Sequence, residues 1–104
     1  MAPERIAFVV SVILSLSVPA RAETIRVTID KLVFTPAEVN AKVGDTIKWV
    51  NKDVFAHTAT VKGGWEVMIP PKATASLTLQ KAEAVDYFCR FHPNMKGHLA
   101  VTAP

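Results

Sequence analysis

The stretch that decides the fold is Ala84–Thr102, AVDYFCRFHPNMKGHLAVT. Polar and apolar residues alternate up to Cys89 and again after Gly97, with the period of two that is typical of half-buried β-strands. Pro93 and Asn94 lie between the two runs and favour a turn. The pattern therefore predicts two strands joined by a short loop, and this hairpin carries a cysteine, a histidine and a methionine.

The same alternation recurs upstream of the hairpin. Further alternating runs, rich in β-branched side chains, lie at 24–29, 46–50, 58–61 and 75–79. Turn-forming residues separate these runs, and no stretch of ten or more residues has an apolar helical face. Six to eight short strands predict an all-β fold, a small antiparallel Greek-key β-sandwich or barrel. The expected core residues are Ile25, Val27, Ile29, Leu32, Phe34, Val39, Ile47, Trp49, Val61, Leu77, Leu79, Val85, Tyr87, Leu99 and Val101.

The first 22 residues, MAPERIAFVVSVILSLSVPARA, have the layout of a secretory signal peptide. A short apolar run follows Arg5, and Ala20 and Ala22 provide the small residues that a signal peptidase requires. The run is shorter than the roughly 20 residues that span a bilayer, which favours cleavage over anchoring. We expect a signal peptide at 1–22 and one domain at 23–104, exported to the periplasm and free of the membrane after cleavage.

The composition narrows the function classes. The 104 residues carry a net charge of +3 at pH 7, but the basic residues are scattered, so the sequence gives no indication of nucleic-acid binding. The single cysteine, Cys89, excludes an internal disulfide and is therefore a buried thiol, an intermolecular cross-link or a metal ligand. Because a free exposed thiol is a liability in an oxidising compartment, burial or coordination is favoured. We expect a monomer.

The hairpin loop presents three soft donors in the spacing C-x-x-H-x-x-M: the thiolate of Cys89, the imidazole of His92 and the thioether of Met95. A thiolate and two imidazoles in one plane, with a long axial methionine, characterise blue-copper electron-transfer sites. The second imidazole must come from elsewhere in the chain. His57, in a loop before a strand, is favoured over His98, which begins the last strand beyond Met95.

With these residues the chain resembles the cupredoxins, and among them it is most similar to the amicyanins. The short C-x-x-H-x-x-M loop is the most specific feature; Tyr87 before it, Gly97 after it, and the run IKWVNKD upstream also fit. The resemblance implies a single copper ion that cycles between Cu(I) and Cu(II). It implies copper ligation by His57, Cys89, His92 and Met95.

The resemblance also implies what surrounds the ligands. Thr58 stands where asparagine is common in the family, and its hydroxyl is expected to form hydrogen bonds beside the ligands. Pro93 is also expected to lie next to the ligands. Electrons are expected to pass through the edge of His92. An apolar rim around that edge is expected from Phe55, Phe91, Pro93 and Met95, with Lys52, Lys96 and Arg90 steering acidic partners.

These observations predict a periplasmic type 1 (blue) copper protein that carries single electrons between transient redox protein partners by outer-sphere transfer. An alternative with the same ligands is a periplasmic copper carrier or sequestration protein without a redox shuttle role. A copper enzyme would need additional histidines, often as His-x-His pairs, so we do not expect an enzyme. A metal-free domain with a buried Cys89 is a third alternative, and the thioether disfavours zinc.

Overall fold

Alternating side chains build nine β-strands in the computed structural model, which describes residues 21–104. The prediction of an all-β sandwich is confirmed, although three short strands were not among the alternating runs. Apart from Arg21 and Ala22, the expected signal peptide lies outside the described residues. The strands are β1 (Thr24–Asp30), β2 (Val33–Thr35), β3 (Glu38–Lys42), β4 (Thr46–Asn51), β5 (His57–Thr60), β6 (Glu66–Ile69), β7 (Thr74–Thr78), β8 (Glu83–Phe88) and β9 (Lys96–Thr102).

Two sheets pack face to face, one in the order β2-β1-β4-β7 and the other in the order β3-β9-β8-β5-β6. The expectation of purely antiparallel pairing is wrong at two places, because β1 runs parallel to β4 and β3 runs parallel to β9. These partners are not consecutive in the chain, so no hairpin turn fixes their relative direction. Among residues 21–104 there is no helix long and apolar enough to cross a membrane.

The core lies between the sheets and centres on Trp49 and Tyr87, both fully buried. Their rings meet edge to face with centroids 5.8 Å apart, and the Trp49 indole N–H donates to the Tyr87 hydroxyl over 3.4 Å. Burial raises the pKa of Tyr87, and the indole hydrogen bond opposes that rise. Most of the expected core residues are buried here. Those that are only half-buried at its margin are Ile25, Val61, Leu77 and Val85.

Leu32 was expected in the core but is 40% exposed. It forms a two-residue turn with Lys31 between β1 and β2, and both residues have left-handed φ angles, 54° and 63°. This conformation suits the twist of a tight hairpin but is unfavourable for residues with a side chain. The carboxylate of Asp53 stabilises the turn by accepting the N–H groups of Lys31 and Leu32 over 2.7 and 3.0 Å.

We expect Gly97→Ala to destabilise the fold. Gly97 is buried on β9, and a Cβ at this position would overlap the phenol ring of Tyr87. Overpacking of this kind costs about 1–3 kcal/mol, which denaturant unfolding of the metal-free protein would detect. Gly64→Ala, whose added Cβ meets mainly the half-buried Val61 side chain, is the control. Equal losses in the two variants would contradict this account of Gly97.

Candidate metal centre

Three expected ligands converge at one end of the sandwich. His57 is the first residue of β5, Cys89 directly follows β8, and His92 lies in the loop between β8 and β9. One donor atom from each residue lies within 4.8 Å of the other two. The Cys89 Sγ is 3.5 Å from His57 Nδ1 and 3.7 Å from His92 Nδ1. The chain thus brings together residues that are 32 positions apart.

These separations suit a single first-row metal ion. With a metal–sulfur distance of about 2.3 Å and metal–nitrogen distances of about 2.0 Å, a trigonal arrangement places sulfur and nitrogen about 3.7 Å apart. The two Sγ–Nδ1 distances at Cys89 are close to that value. The arrangement therefore offers one sulfur and two nitrogen donors to one ion without a large rearrangement of the backbone.

Asp53 fixes the proton of the His57 ring on the far nitrogen. His57 Nε2 lies 2.9 Å from Asp53 Oδ2. An ionised carboxylate only accepts hydrogen bonds, so Nε2 carries a proton, and in the neutral ring Nδ1 then has the lone pair that faces Cys89. A metal-binding histidine usually has such a partner on its second nitrogen, which sets the orientation of the ring.

The carboxylate of Asp53 is held in its ionised form by its surroundings. Burial by itself raises its pKa, but the hydrogen bonds from the Leu32 N–H, the His57 ring and the Lys31 N–H outweigh burial and lower the pKa below its ordinary value. One carboxylate therefore stabilises the strained β1–β2 turn and orients a candidate ligand. In the sequence, Asp53 stands out only as part of the run IKWVNKD, because no local pattern connects it with residues 31 and 32.

The hairpin between β8 and β9 holds Cys89, His92 and Met95 in a tight loop. The Cys89 N–H donates to the Met95 carbonyl over 3.1 Å, the His92 N–H donates to the Cys89 carbonyl over 3.2 Å, and the Met95 N–H donates to the His92 carbonyl over 2.8 Å. Cys89 is completely buried, and Met95 is only 4% exposed. Met95 is therefore mostly interior at this end, although it also lines the cavity beside His92 together with Phe91 and Pro93.

Thr58 joins the two segments that carry the ligands. Its N–H donates to Cys89 Sγ over 3.4 Å, and its hydroxyl accepts the Arg90 N–H over 2.7 Å. The hydroxyl of Thr60 donates to Glu66, so the Thr58 hydroxyl donates to Thr60 over 2.8 Å. The position next to the ligands that was expected for Thr58 is thus observed, with hydrogen bonds to both segments.

Arg90 and Glu66 close this network at the surface. The guanidinium forms two hydrogen bonds of 2.9 and 3.0 Å to the carboxylate and lies over the Phe91 ring. The Arg90 hydrogen bond, followed by that of Thr60, lowers the pKa of Glu66. Because Arg90 is already paired in this way, its expected role in steering acidic partners is not supported by the structure.

Asn51, at the end of β4, shapes the loop that leads to His57. Its side-chain N–H groups donate to the carbonyls of Phe55 and Pro70 over 2.8 and 3.0 Å, and its Oδ1 accepts the Asp53 N–H over 2.9 Å. The side chain is buried, so these bonds replace the water that it loses. In the sequence this residue stands out only as part of the run IKWVNKD.

The edge of the centre reaches the surface at His92, which is half-buried. The Phe55 ring lies 5.9 Å from the His92 ring, and a cavity of about 350 Å³ beside it is lined in part by Leu32, Phe91 and Pro93. Phe55, Phe91 and Pro93 are exposed, as expected for the rim, and the exposed Leu32 adds to them. Lys52 and Lys96 are exposed as well.

His98 does not take part in this cluster. It is half-buried on β9, and its Nδ1 lies 2.7 Å from Asp86 Oδ1 on the neighbouring strand β8. The group of potential ligands found in the described residues consists of His57, Cys89 and His92. The preference for His57 over His98 as the second imidazole therefore agrees with the geometry.

Comparisons with known proteins agree with the fold and with this cluster. Residues 5–101 match the family model described as a cupredoxin-like domain. The chain is 35% identical over 88 residues to amicyanin from Paracoccus versutus, covering 77% of this chain and 66% of that protein. It is 33% identical over 85 residues to amicyanin from Paracoccus denitrificans, covering 72% and 63%. The chain thus spans slightly less than two thirds of the length of these two relatives.

Solved amicyanin structures are also similar to this chain. The Cu(I) form of an amicyanin mutant matches with a TM-score of 0.69 and 30% sequence identity, covering 80% of this chain and 86% of that chain. The similarity extends well beyond the hairpin, because it covers most of both chains.

We expect Thr58→Val to destabilise the metal-free protein by about 1 kcal/mol or more, because the Arg90 N–H loses its acceptor. Thr58→Ser retains the hydroxyl and should retain most of the stability. Thr78→Val, which removes an exposed hydroxyl paired with that of Thr46, is the control and should change stability by less than about 0.5 kcal/mol. Denaturant unfolding measures all three variants, and equal stability of the Val and Ser variants at position 58 would contradict the role of the hydroxyl.

Proposed function

The chain belongs to the family of cupredoxin-like domains, and on that premise we propose that it is a type 1 copper protein that carries single electrons between redox partners in the periplasm. The observation that carries the proposal is the convergence of His57, Cys89 and His92 with donor atoms within 4.8 Å of one another. Met95, buried in the same hairpin, is proposed as a fourth residue that would help to hold the ion.

The donor set supports copper in particular. A thiolate, two imidazoles and a thioether are soft and intermediate ligands that suit copper in both of its common oxidation states. A copper ion bound there supplies a one-electron couple between Cu(I) and Cu(II). Periplasmic location rests on the signal peptide proposed for residues 1–22, and the amicyanin relatives support electron transfer as the activity.

The residues of the chain hold the donors in place while the charge of the centre changes. His57 and Cys89 are completely buried at the ends of strands, and the hydrogen bonds of Asp53 and Thr58 limit their movement. Donors that move little between two oxidation states keep the reorganisation that accompanies each electron small. The same rigidity and burial favour a redox carrier over the alternative, a protein that readily hands copper to another.

The apolar surface around His92 is the proposed port for electrons. Phe55, Phe91, Pro93 and Leu32 surround the half-buried imidazole, and the exposed Lys52 and Lys96 contribute positive charge to this end. A small apolar patch with charges at its edge suits short-lived complexes, which bury less than about 1,200 Å². We propose that redox proteins with an acidic surface dock here and exchange electrons through the His92 edge by outer-sphere transfer.

We expect one equivalent of Cu(II) to give the processed protein an intense visible absorption band from thiolate-to-copper charge transfer. Cys89→Ser should abolish the band, because a hydroxyl does not supply that transition. His98→Asn, which removes the histidine outside the cluster, should leave the band unchanged. Absence of the band in the wild-type protein, or its persistence in Cys89→Ser, would contradict the ligand assignment.

The copper-loaded protein also allows a test that distinguishes a redox carrier from a copper carrier. A redox carrier should lose the band on addition of ascorbate and regain it on oxidation through many cycles without loss of copper, which metal analysis would follow. Rapid transfer of copper to a competing chelator, with poor recovery of the band, would instead support the copper-carrier alternative.

We expect the rate of electron exchange with small redox reagents to depend on ionic strength. Oxidation of the reduced protein by the anion ferricyanide should slow severalfold between about 0.01 and 1 M salt, because the screening length falls from about 30 to 3 Å. Oxidation by a cationic cobalt complex should accelerate over the same range. Stopped-flow measurements on Lys52→Glu, which should weaken both trends, test the contribution of this side chain. Rates that do not change with salt concentration would contradict electrostatic steering.

A further inference from the structure

Glu23 is hydrogen-bonded to the sandwich at the end opposite the metal centre. The Glu23 N–H donates to Asp45 Oδ1 over 2.9 Å, and the Glu23 carbonyl accepts the Thr46 N–H over 2.9 Å. The parallel pairing of β1 with β4 begins at the next residue, Thr24. The backbone of the domain is therefore hydrogen-bonded from Glu23 onward, one residue after the end of the expected signal peptide.

The acceptor of this bond is a carboxylate with unusual surroundings. Asp45 is 4% exposed although it lies in the turn between β3 and β4. Its Oδ2 accepts the Lys42 N–H over 2.9 Å, which closes the turn. Closing the turn uses this one oxygen, so the turn by itself does not account for the second oxygen, Oδ1, which is directed at the nitrogen of Glu23.

We propose that the chain is processed between Ala22 and Glu23 and that Asp45 is the binding site for the new N-terminus. Hydrolysis of this peptide bond adds the hydroxyl of water to the Ala22 carbonyl carbon and the remaining hydrogen of water to the Glu23 nitrogen. The resulting amino group binds one further proton from the solvent and becomes an α-ammonium. The neutral N–H of Glu23 that donates to Asp45 Oδ1 thereby becomes a positively charged group at the same position. Processing thus adds a positive charge to the donor of an existing hydrogen bond, which becomes a partly buried ion pair.

The physical consequence is that the mature chain is more stable than a chain extended beyond Glu23. An α-amino group has an ordinary pKa of about 7.7–8.0 and is mostly protonated at pH 7. The Asp45 carboxylate is already ionised, and a cationic donor adds a direct charge–charge attraction that the neutral amide does not provide. The fold therefore favours one N-terminal residue over its neighbours, and removal of the signal sequence completes an interaction of the folded domain.

The electrostatic surroundings of the site agree with this arrangement. The hydrogen bond from the Glu23 N–H, followed by that from the Lys42 N–H, lowers the pKa of Asp45 against the opposing effect of burial, and the Lys42 charge contributes further. A cavity of about 280 Å³ adjoins the carboxylate, and its charged lining residues in the described chain are Glu23, Lys42 and Asp45. The carboxylate is thus ionised where it would receive the ammonium group.

The pH dependence follows from the signs of these shifts. An ammonium group that gains a carboxylate partner has a raised pKa, so its contribution is fully present below about pH 8 and is lost as the pH rises through the raised value. The lowered pKa of Asp45 makes its contribution present above about pH 4 and lost as the pH falls further. The advantage of the mature N-terminus should therefore be largest near neutral pH.

The test starts from the full chain, expressed with its first 22 residues in a bacterium that exports it. The intact mass of the purified product should correspond to residues 23–104. Competitive acetylation with acetic anhydride across pH, read by peptide mass spectrometry, should give the α-amino group a pKa raised by about one pH unit or more. Asp45→Asn should return that value to the ordinary range, whereas Asp86→Asn, which removes an exposed carboxylate on β8, should not change it.

A second variant keeps the test decisive if Asp45→Asn does not fold. Insertion of one alanine between Ala22 and Glu23 leaves every residue of the site in place but moves the ammonium away by one residue after processing. The melting midpoint should fall by about 4 °C or more at pH 7, and the difference should disappear above about pH 10. Cleavage at another bond, an ordinary α-amino pKa in the wild-type protein, or equal midpoints with and without the insertion would overturn the proposal.

Discussion

The metal centre depends on the hydrogen bonds that Thr58 makes between β5 and the segment after β8. Strands β5 and β8 pair at a single register position, Thr60 with Phe88, so the backbone hydrogen bonds of the sheet hold them together only weakly. Thr58 supplies the missing connections: its N–H donates to the Cys89 sulfur, and its hydroxyl accepts the Arg90 N–H. Because His57 precedes Thr58 directly, the same residue fixes the distance between the first imidazole and the thiol.

The polar groups buried in this small sandwich lie at its two ends and have partners there. At one end Asn51 and Asp53 support the loop before His57, and Asp53 also stabilises the left-handed turn at Lys31. At the other end Asp45 receives backbone N–H groups from two segments. Strand β4 connects the two ends, with Asp45 directly before it and Asn51 as its last residue. The apolar middle stabilises the fold, and the ends position groups that the proposed functions use.

The strands that sequence analysis identified are those with a long, clear alternation, such as β1, β4, β8 and β9. Short β2 has three residues, too few for a period to be evident, and its turn lacks the glycine or asparagine that marks tight hairpins. The exposure of Leu32 follows from that turn and has no local signal. Likewise, the parallel pairings depend on which strands become neighbours in the folded chain, and alternation carries no information about neighbours.

The sequence by itself determined that the potential donors of the hairpin lie close together, because three-residue spacings in a short loop confine Cys89, His92 and Met95 to one small region whatever the rest of the chain does. Only the tertiary structure decided that His57 reaches that region and that Asp53 places the proton of the His57 ring on Nε2. It also decided that Glu66 and Arg90 close the hydrogen-bond network around Thr58. The reason is that distances along a loop are limited by covalent geometry, whereas distances between segments depend on which strands become neighbours within a sheet and on how the two sheets pack. The parallel pairing of β1 with β4 likewise places Asp45 beside Glu23, a contact between residues 22 positions apart in the sequence.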